Sequence, residues 1–207
     1  MNYFSAILEQ LRKTRTIALI IILIGFIAYI YQSAVTEVVT YKIKQPKPKD
    51  EIQTDIRNNV MIQQMLNDLM LSYQADRAYI FQFHNTIKYY DGTHRNHQSM
   101  TFEVCAKGIS SEAYWLQNLP VSIYPMFLQE IMLERMNYSD INDIEEHTTK
   151  LQLQRQGIKS VVIAPYFKDG NFVAYIGLDF VKQQNDSLID YNKFKSFTNQ
   201  IGNILIQ

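Results

Sequence analysis

The first pattern along the chain is a run without polar interruption. From Ile17 to Tyr31 no strongly polar residue intervenes, and extension past Gln32 and Ser33 to Val35 gives 19 residues. That is about 28 Å of helix at 1.5 Å per residue, near the thickness of a bilayer core. The pattern predicts a single-pass transmembrane helix over 16–35 behind a short charged tail, 1–15, with Tyr29 and Tyr31 at one interface. A buried soluble helix and a cleavable signal peptide are the competing readings, the latter because Arg12, Lys13 and Arg15 resemble a charged n-region. Against cleavage, the exit Tyr31-Gln32-Ser33-Ala34-Val35 offers no small-x-small site. The segment 36–50, with Pro46 and Pro48 among four lysines, reads as a stiff linker, leaving 51–207 as the soluble unit.

Beyond the linker the period is helical, then alternating. Ile52, Ile56, Met61, Met65, Leu66, Leu69 and Tyr73 recur at three- to five-residue steps and predict an amphipathic helix from about Asp50. "RAYIFQFH" (77–84) and "SMTFEVCA" (99–106) alternate and predict strands joined by "NTIKYYDGTHRNH". "SEAYWLQNLP" and "SIYPMFLQEIMLERM" predict two short helices separated by Pro120, with Ser110 or Ser111 and Ser122 as N-caps. "TTKLQLQRQG" predicts a helix closed by Gly157. Strands 159–167 and 172–181 flank Lys168-Asp169-Gly170-Asn171, whose Asp-Gly pair suits a tight hairpin. A last helical stripe runs through Leu188, Tyr191, Phe194, Phe197, Ile201, Ile204 and Leu205. The class is α+β, with an antiparallel sheet flanked by helices.

Composition narrows the chemistry. Lysine plus arginine and aspartate plus glutamate are both 20, which disfavours a nucleic-acid partner. The single cysteine, Cys105, excludes an internal disulfide and a Cys-rich zinc cluster. No serine or cysteine has a recognisable base beside it and no glycine-rich phosphate loop occurs, so an enzyme is not expected.

Two motifs carry a resemblance. Gly157, Ser160, Pro165, Gly170 and Gly177 are spaced as in the closing hairpin of GAF domains. "ADRAYIFQFHN" resembles the first strand of a GAF branch in which Phe-His-Asn ends that strand, although Thr86 stands where glycine often follows. The resemblance spans about Asp50 to the C-terminus. It implies an antiparallel sheet with helices on both faces, a small-molecule pocket between the sheet and the loops over it, and a role in sensing and relay. Three variants of the family do not fit. Bilin attachment commonly uses a cysteine followed by histidine, but Ala106 follows Cys105. Methionine sulfoxide reduction needs more than one cysteine. The cyclic-nucleotide signature is incomplete, since the Asn192-Lys193-Phe194 element lacks the Asp-Glu that should follow it.

On this frame His84, Asn85 and Glu103 are the candidate ligand contacts, roofed by Tyr114 and Trp115, with the identity of any ligand or cofactor open. The competing readings are an exposed polar loop with a backbone-bonded histidine, and a zinc-like site from His84, His94 and His97 with Glu103. The expected functions are a membrane-anchored sensory or regulatory domain, or a structural or assembly protein of bacterial or phage origin using the fold as a scaffold. Because the sequence ends with its last helix, no output domain is expected and a signal passes to a protein partner. The bilayer is the other partner. A homodimer is expected through helices 50–73 and 188–206. The side of the membrane stays open, because Arg12, Lys13 and Arg15 on one flank face Lys42, Lys44, Lys47 and Lys49 on the other.

Overall fold

The computed structural model describes residues 51–207 except 89–91, 93, 137, 183–188 and 207, with 86, 87, 94 and 95 described by backbone alone. Of the first fifty residues it describes Leu23, Phe26, Ile27, Tyr29 and Tyr31, all helical. No helix among the described residues is long and apolar enough to cross a membrane. The predicted span 16–35, save those five residues, and the linker lie outside the described residues. The chain divides into two units, Met1–Glu51 and Ile52–Gln207, and the second holds the sheet.

The elements are α1 (Glu51–Ser72), β1 (Arg77–Lys88), β2 (His94–Cys105), β3 (Leu119–Pro120), α2 (Pro125–Met132), β4 (Ser139–Asp140), α3 (His147–Arg155), β5 (Ser160–Lys168), β6 (Asn171–Phe180) and α4 (Tyr191–Leu205). The six strands form one sheet of order β3-β2-β1-β6-β5-β4, and every pairing is antiparallel. The class is α+β, as predicted.

Alternation along each strand sorts two cores. Ala78 and Ile80 of β1, Val162, Ala164 and Tyr166 of β5, and Ala174, Ile176, Leu178 and Phe180 of β6 pack against α1 and α4. Tyr79, Phe81, Val161, Ile163 and Tyr175 point the other way, toward α2, α3 and the loops. A period of two does this unaided, because successive side chains leave opposite faces. Each fully buried aliphatic or aromatic side chain contributes roughly 1.5–3 kcal/mol.

Local signals set the ends. The two-residue turn between β5 and β6 has both residues at positive φ, Asp169 at 50° and Gly170 at 78°, as a type I′ hairpin requires. Helix α3 stops before Gly157, at φ 74°. Helix α4 is capped by Asp190, whose carboxylate accepts from Lys193 N at 3.0 Å.

Three expectations need correction. The β1–β2 strands extend to Lys88 and back from His94, so His94 and His97 are strand residues. Alternation does not reveal this extension, because Asn85, Asn96 and Lys88 are exposed and polar. Residues 111–118 form a turn rather than a helix: Leu116 O accepts from Met100 N at 2.8 Å, binding the segment to β2. The predicted serine caps are absent: α2 begins with Pro125 at its first turn and no side-chain cap. Within this domain Leu66 and Leu69 of α1 are fully buried with Met65 beside them, and Phe194 and Ile201 of α4 are at 0% exposure, so these positions pack on their own sheet.

Candidate functional site

The helix-poor face carries the openings. In the second half of β1, Phe83, His84 and Asn85 meet Asn96 of β2, Val121 and Ser122 of a 3-10 turn, Leu128 and Gln129 of α2, and Phe172 at the start of β6, around a groove of about 780 Å³. The aromatic floor comes from β pairing: β1 lies beside β6 and brings Phe83 to Phe172, ring centroids 4.7 Å apart and edge-on. Phe83 also abuts Tyr175. The rim is made of neutral amides, Asn85, Asn96, Gln129 and Asn171. An apolar floor with a few convergent polar groups is the arrangement small ligands use.

His84 sits at this rim, half-buried, with Nε2 2.8 Å from Ser99 Oγ. Its ring stacks on His97, its cross-strand partner, at 6.0 Å and 17°. His84 and Asn85 thus both line this opening. The other three predicted residues are elsewhere.

Glu103 is six residues further along β2 than His97, about 20 Å at 3.3–3.4 Å per residue. Its side chain is 4% exposed and its Oε1 lies 3.0 Å from Arg77 Nε. The carboxylate accepts from Glu112 N at 2.9 and 3.0 Å and Ala113 N at 3.1 Å, and from the Ser111 hydroxyl. Glu103 therefore fastens the 111–116 segment to the sheet instead of facing His84. Tyr114 and Trp115 are 80% and 72% exposed and lean on each other edge-on at 4.9 Å. They roof nothing. Among the described residues no three His, Cys, Asp or Glu side chains converge as metal ligands, and the side chain of His94 lies outside them.

Arg77 organises the other end. It is 1% exposed; Nη1 donates to Asp179 Oδ2 at 3.0 Å and Gln156 Oε1 at 2.8 Å, and Nη2 donates to Ser110 O at 3.0 Å. Burial pushes the Asp179 carboxyl up to about 6, with the Arg77 charge opposing that rise. Burial, then the Glu103 charge, push the half-buried Cys105 thiol up, which leaves it a poor nucleophile at neutral pH.

Sequence reasoning missed Phe83, Asn96, Leu128 and Phe172. Only the register of β1 with β2 and β6 unites them. Phe83 carried the one usable signal, adjacent to His84 and on the same face as Phe81.

No protein-family model matches the sequence, and no curated protein matches it. Solved structures do match. The GAF domain of PixJ from Thermosynechococcus elongatus, in its blue-light absorbing form, aligns with TM-score 0.56 and 11% identity over 77% of this chain and 89% of that one. The chain has the GAF fold. The phycoerythrobilin-bound GAF domain of a cyanobacterial phytochrome aligns with TM-score 0.55 and 15% identity, over 86% and 95%. The GAF domain region of a putative membrane protein from Geobacter sulfurreducens PCA gives TM-score 0.52 and 16% identity, over 76% and 99%. In this GAF fold the groove opens at the sheet end distant from the Arg77 cluster.

Proposed function

We propose that this chain is a membrane-anchored regulatory GAF domain that binds a small, uncharged ligand in the groove along the second half of β1 and relays occupancy through α1. The groove carries the reading, because its apolar floor and amide rim offer hydrogen bonds without a counter-charge. The apolar run before the domain supports the anchor, and one similar structure comes from a putative membrane protein. Helix α1 supports the relay: Ile52, Ile56 and Val60, four residues apart, are 75%, 58% and 53% exposed, a stripe suited to a second copy of the chain.

A ligand screen by thermal melting of the full chain in mild detergent tests the first part. A groove ligand at 100 times its Kd adds about 2.7 kcal/mol. Asn85→Ala removes that shift, and His84→Ala weakens it while lowering the stability of the free protein by about 1–2 kcal/mol through the orphaned Ser99 hydroxyl. If no ligand shifts the melt, the competing reading of the fold as a scaffold for an assembly protein stands instead. For the relay, Ile56→Lys gives monomers by sedimentation with the melting profile unchanged. Recovery of the full chain from cells without detergent sinks the anchor.

A further inference from the structure

On the same face as the groove, the sheet, α2 and α3 line a second, narrower interior cavity of about 40 Å³. A water needs roughly 10–15 Å³ by this measure, so the space takes two or three heavy atoms. Most of its polar wall is satisfied: Tyr175 donates to Gln98 Oε1 at 2.9 Å, and Tyr124 to Gln152 Oε1 at 3.4 Å. Two lining groups are not. Asp179 Oδ1 and Thr149 Oγ1 are buried without a hydrogen-bond partner, in residues only 2% and 5% exposed. The Tyr79 hydroxyl lies within hydrogen-bonding reach of the Asp179 carboxylate and partly stabilises it, without meeting full hydrogen-bond geometry at Oδ1.

Charge adds to the argument. One buried cation, Arg77, faces two buried carboxylates, Glu103 and Asp179. Glu103 has the backbone donors of 112 and 113 as well as Arg77, so the uncompensated acceptor is Asp179 Oδ1, at the cavity. An unpaired buried carboxylate oxygen is costly. What relieves it is a donor that also carries positive charge.

We propose that the interior cavity takes the ammonium head of a small primary amine, which donates to Asp179 Oδ1 and Thr149 Oγ1. An ammonium supplies three N–H donors in a compact cation, whereas a water or alcohol supplies donors without charge. Leu116, Gln152 and Gln156 line both this cavity and an outer cleft of about 430 Å³ along one face of α3, which gives the amine's substituent a way out. The site is independent of the groove and of the reading built on it.

The test uses the purified full chain with ethylammonium chloride, and with ethanol and tetramethylammonium chloride as the uncharged and donor-free controls. Trp115, the sole tryptophan, lies next to Leu116 and reports binding by fluorescence. Ethylammonium near 100 times its Kd is expected to raise the melting midpoint by about 5–10 °C, and neither control does. Thr149→Val, which leaves the Arg77–Asp179 pair intact, weakens binding about tenfold, the loss of one hydrogen bond to a charged group. Asp179→Asn weakens it further, and Asn85→Ala leaves it unchanged. An equal shift with ethanol, a shift of equal size with tetramethylammonium, no shift with ethylammonium, or unaltered binding in Thr149→Val would each overturn the proposal.

Discussion

The two faces of this sheet are closed in different ways. On one, two long helices cover Ile80, Ile176 and Leu178, and the described residues of that core include no buried charged side chain. On the other, two short helices, two 3-10 turns and a loop cover Tyr79, Phe81 and Tyr175, and there the cavities, the buried Arg77 and its orphaned carboxylate partner are found. Helices present a continuous apolar stripe and satisfy their own backbone. Short pieces do neither, so side chains must serve as fasteners and gaps remain between them. The open face thus holds the cavities, while the closed face is packed continuously by its two helices.

The largest test of the contrast removes one phenylalanine from each side. Phe194→Ala on the closed face is expected near the upper end of the usual 3–5 kcal/mol, and Phe127→Ala beside the interior cavity near the lower end. Phe127 already lacks partner atoms on one side. Equal losses in denaturant midpoints would erase the distinction.

A pH series probes the open face alone. Asp179 titrates in the fold at about 6 against an ordinary 3.8. Because the folded value is raised, its stabilising contribution is complete below pH about 4 and is lost as pH rises through about 6. The amount is about 3 kcal/mol. Asp179→Asn should therefore flatten the wild-type decline in stability between pH 4 and 6; parallel slopes in the two proteins would contradict the assignment.

The smallest test uses two glycines in close contact with tyrosine rings. A Cβ on Gly202 would overlap Tyr166, and one on Gly177 would overlap Tyr79. Tyr166 is tied to Asn203 at 2.9 Å on the closed face, while Tyr79 borders the interior cavity. Both alanine substitutions fall within about 1–3 kcal/mol, with Gly177→Ala the milder because Tyr79 has space to give. The reverse order in melting midpoints would show that the cavity offers no relief.

The closed face was also the legible one. The stripes of α1 and α4 and the Asp-Gly turn are local patterns, and each marked its element. The open face depended on long-range facts. Glu103 reads as a pocket residue until Arg77 and the amides of 112 and 113 are seen to claim it, and Tyr114-Trp115 reads as a buried pair until its segment is tied to Met100 as a turn. His84 and Asn85 lie within β1, which runs on to Lys88, so the expected strand end at His84 was itself a local pattern that pairing with β2 overrode. Phe172 was missed, because its nearness to Phe83 exists only once β1 and β6 pair.

That same pairing has a consequence during synthesis. Arg77 stands opposite Asp179, 102 residues later in the chain. At about 5–20 residues per second, β1 leaves the ribosome some 5–20 seconds before its central neighbour exists. Through that interval it has only β2 to pair with, and Arg77 has Glu103 but not Asp179. The nascent domain is a hairpin with one bare edge until the last fifth of the chain arrives, which makes translation speed across β5 and β6 a determinant of how much of it folds.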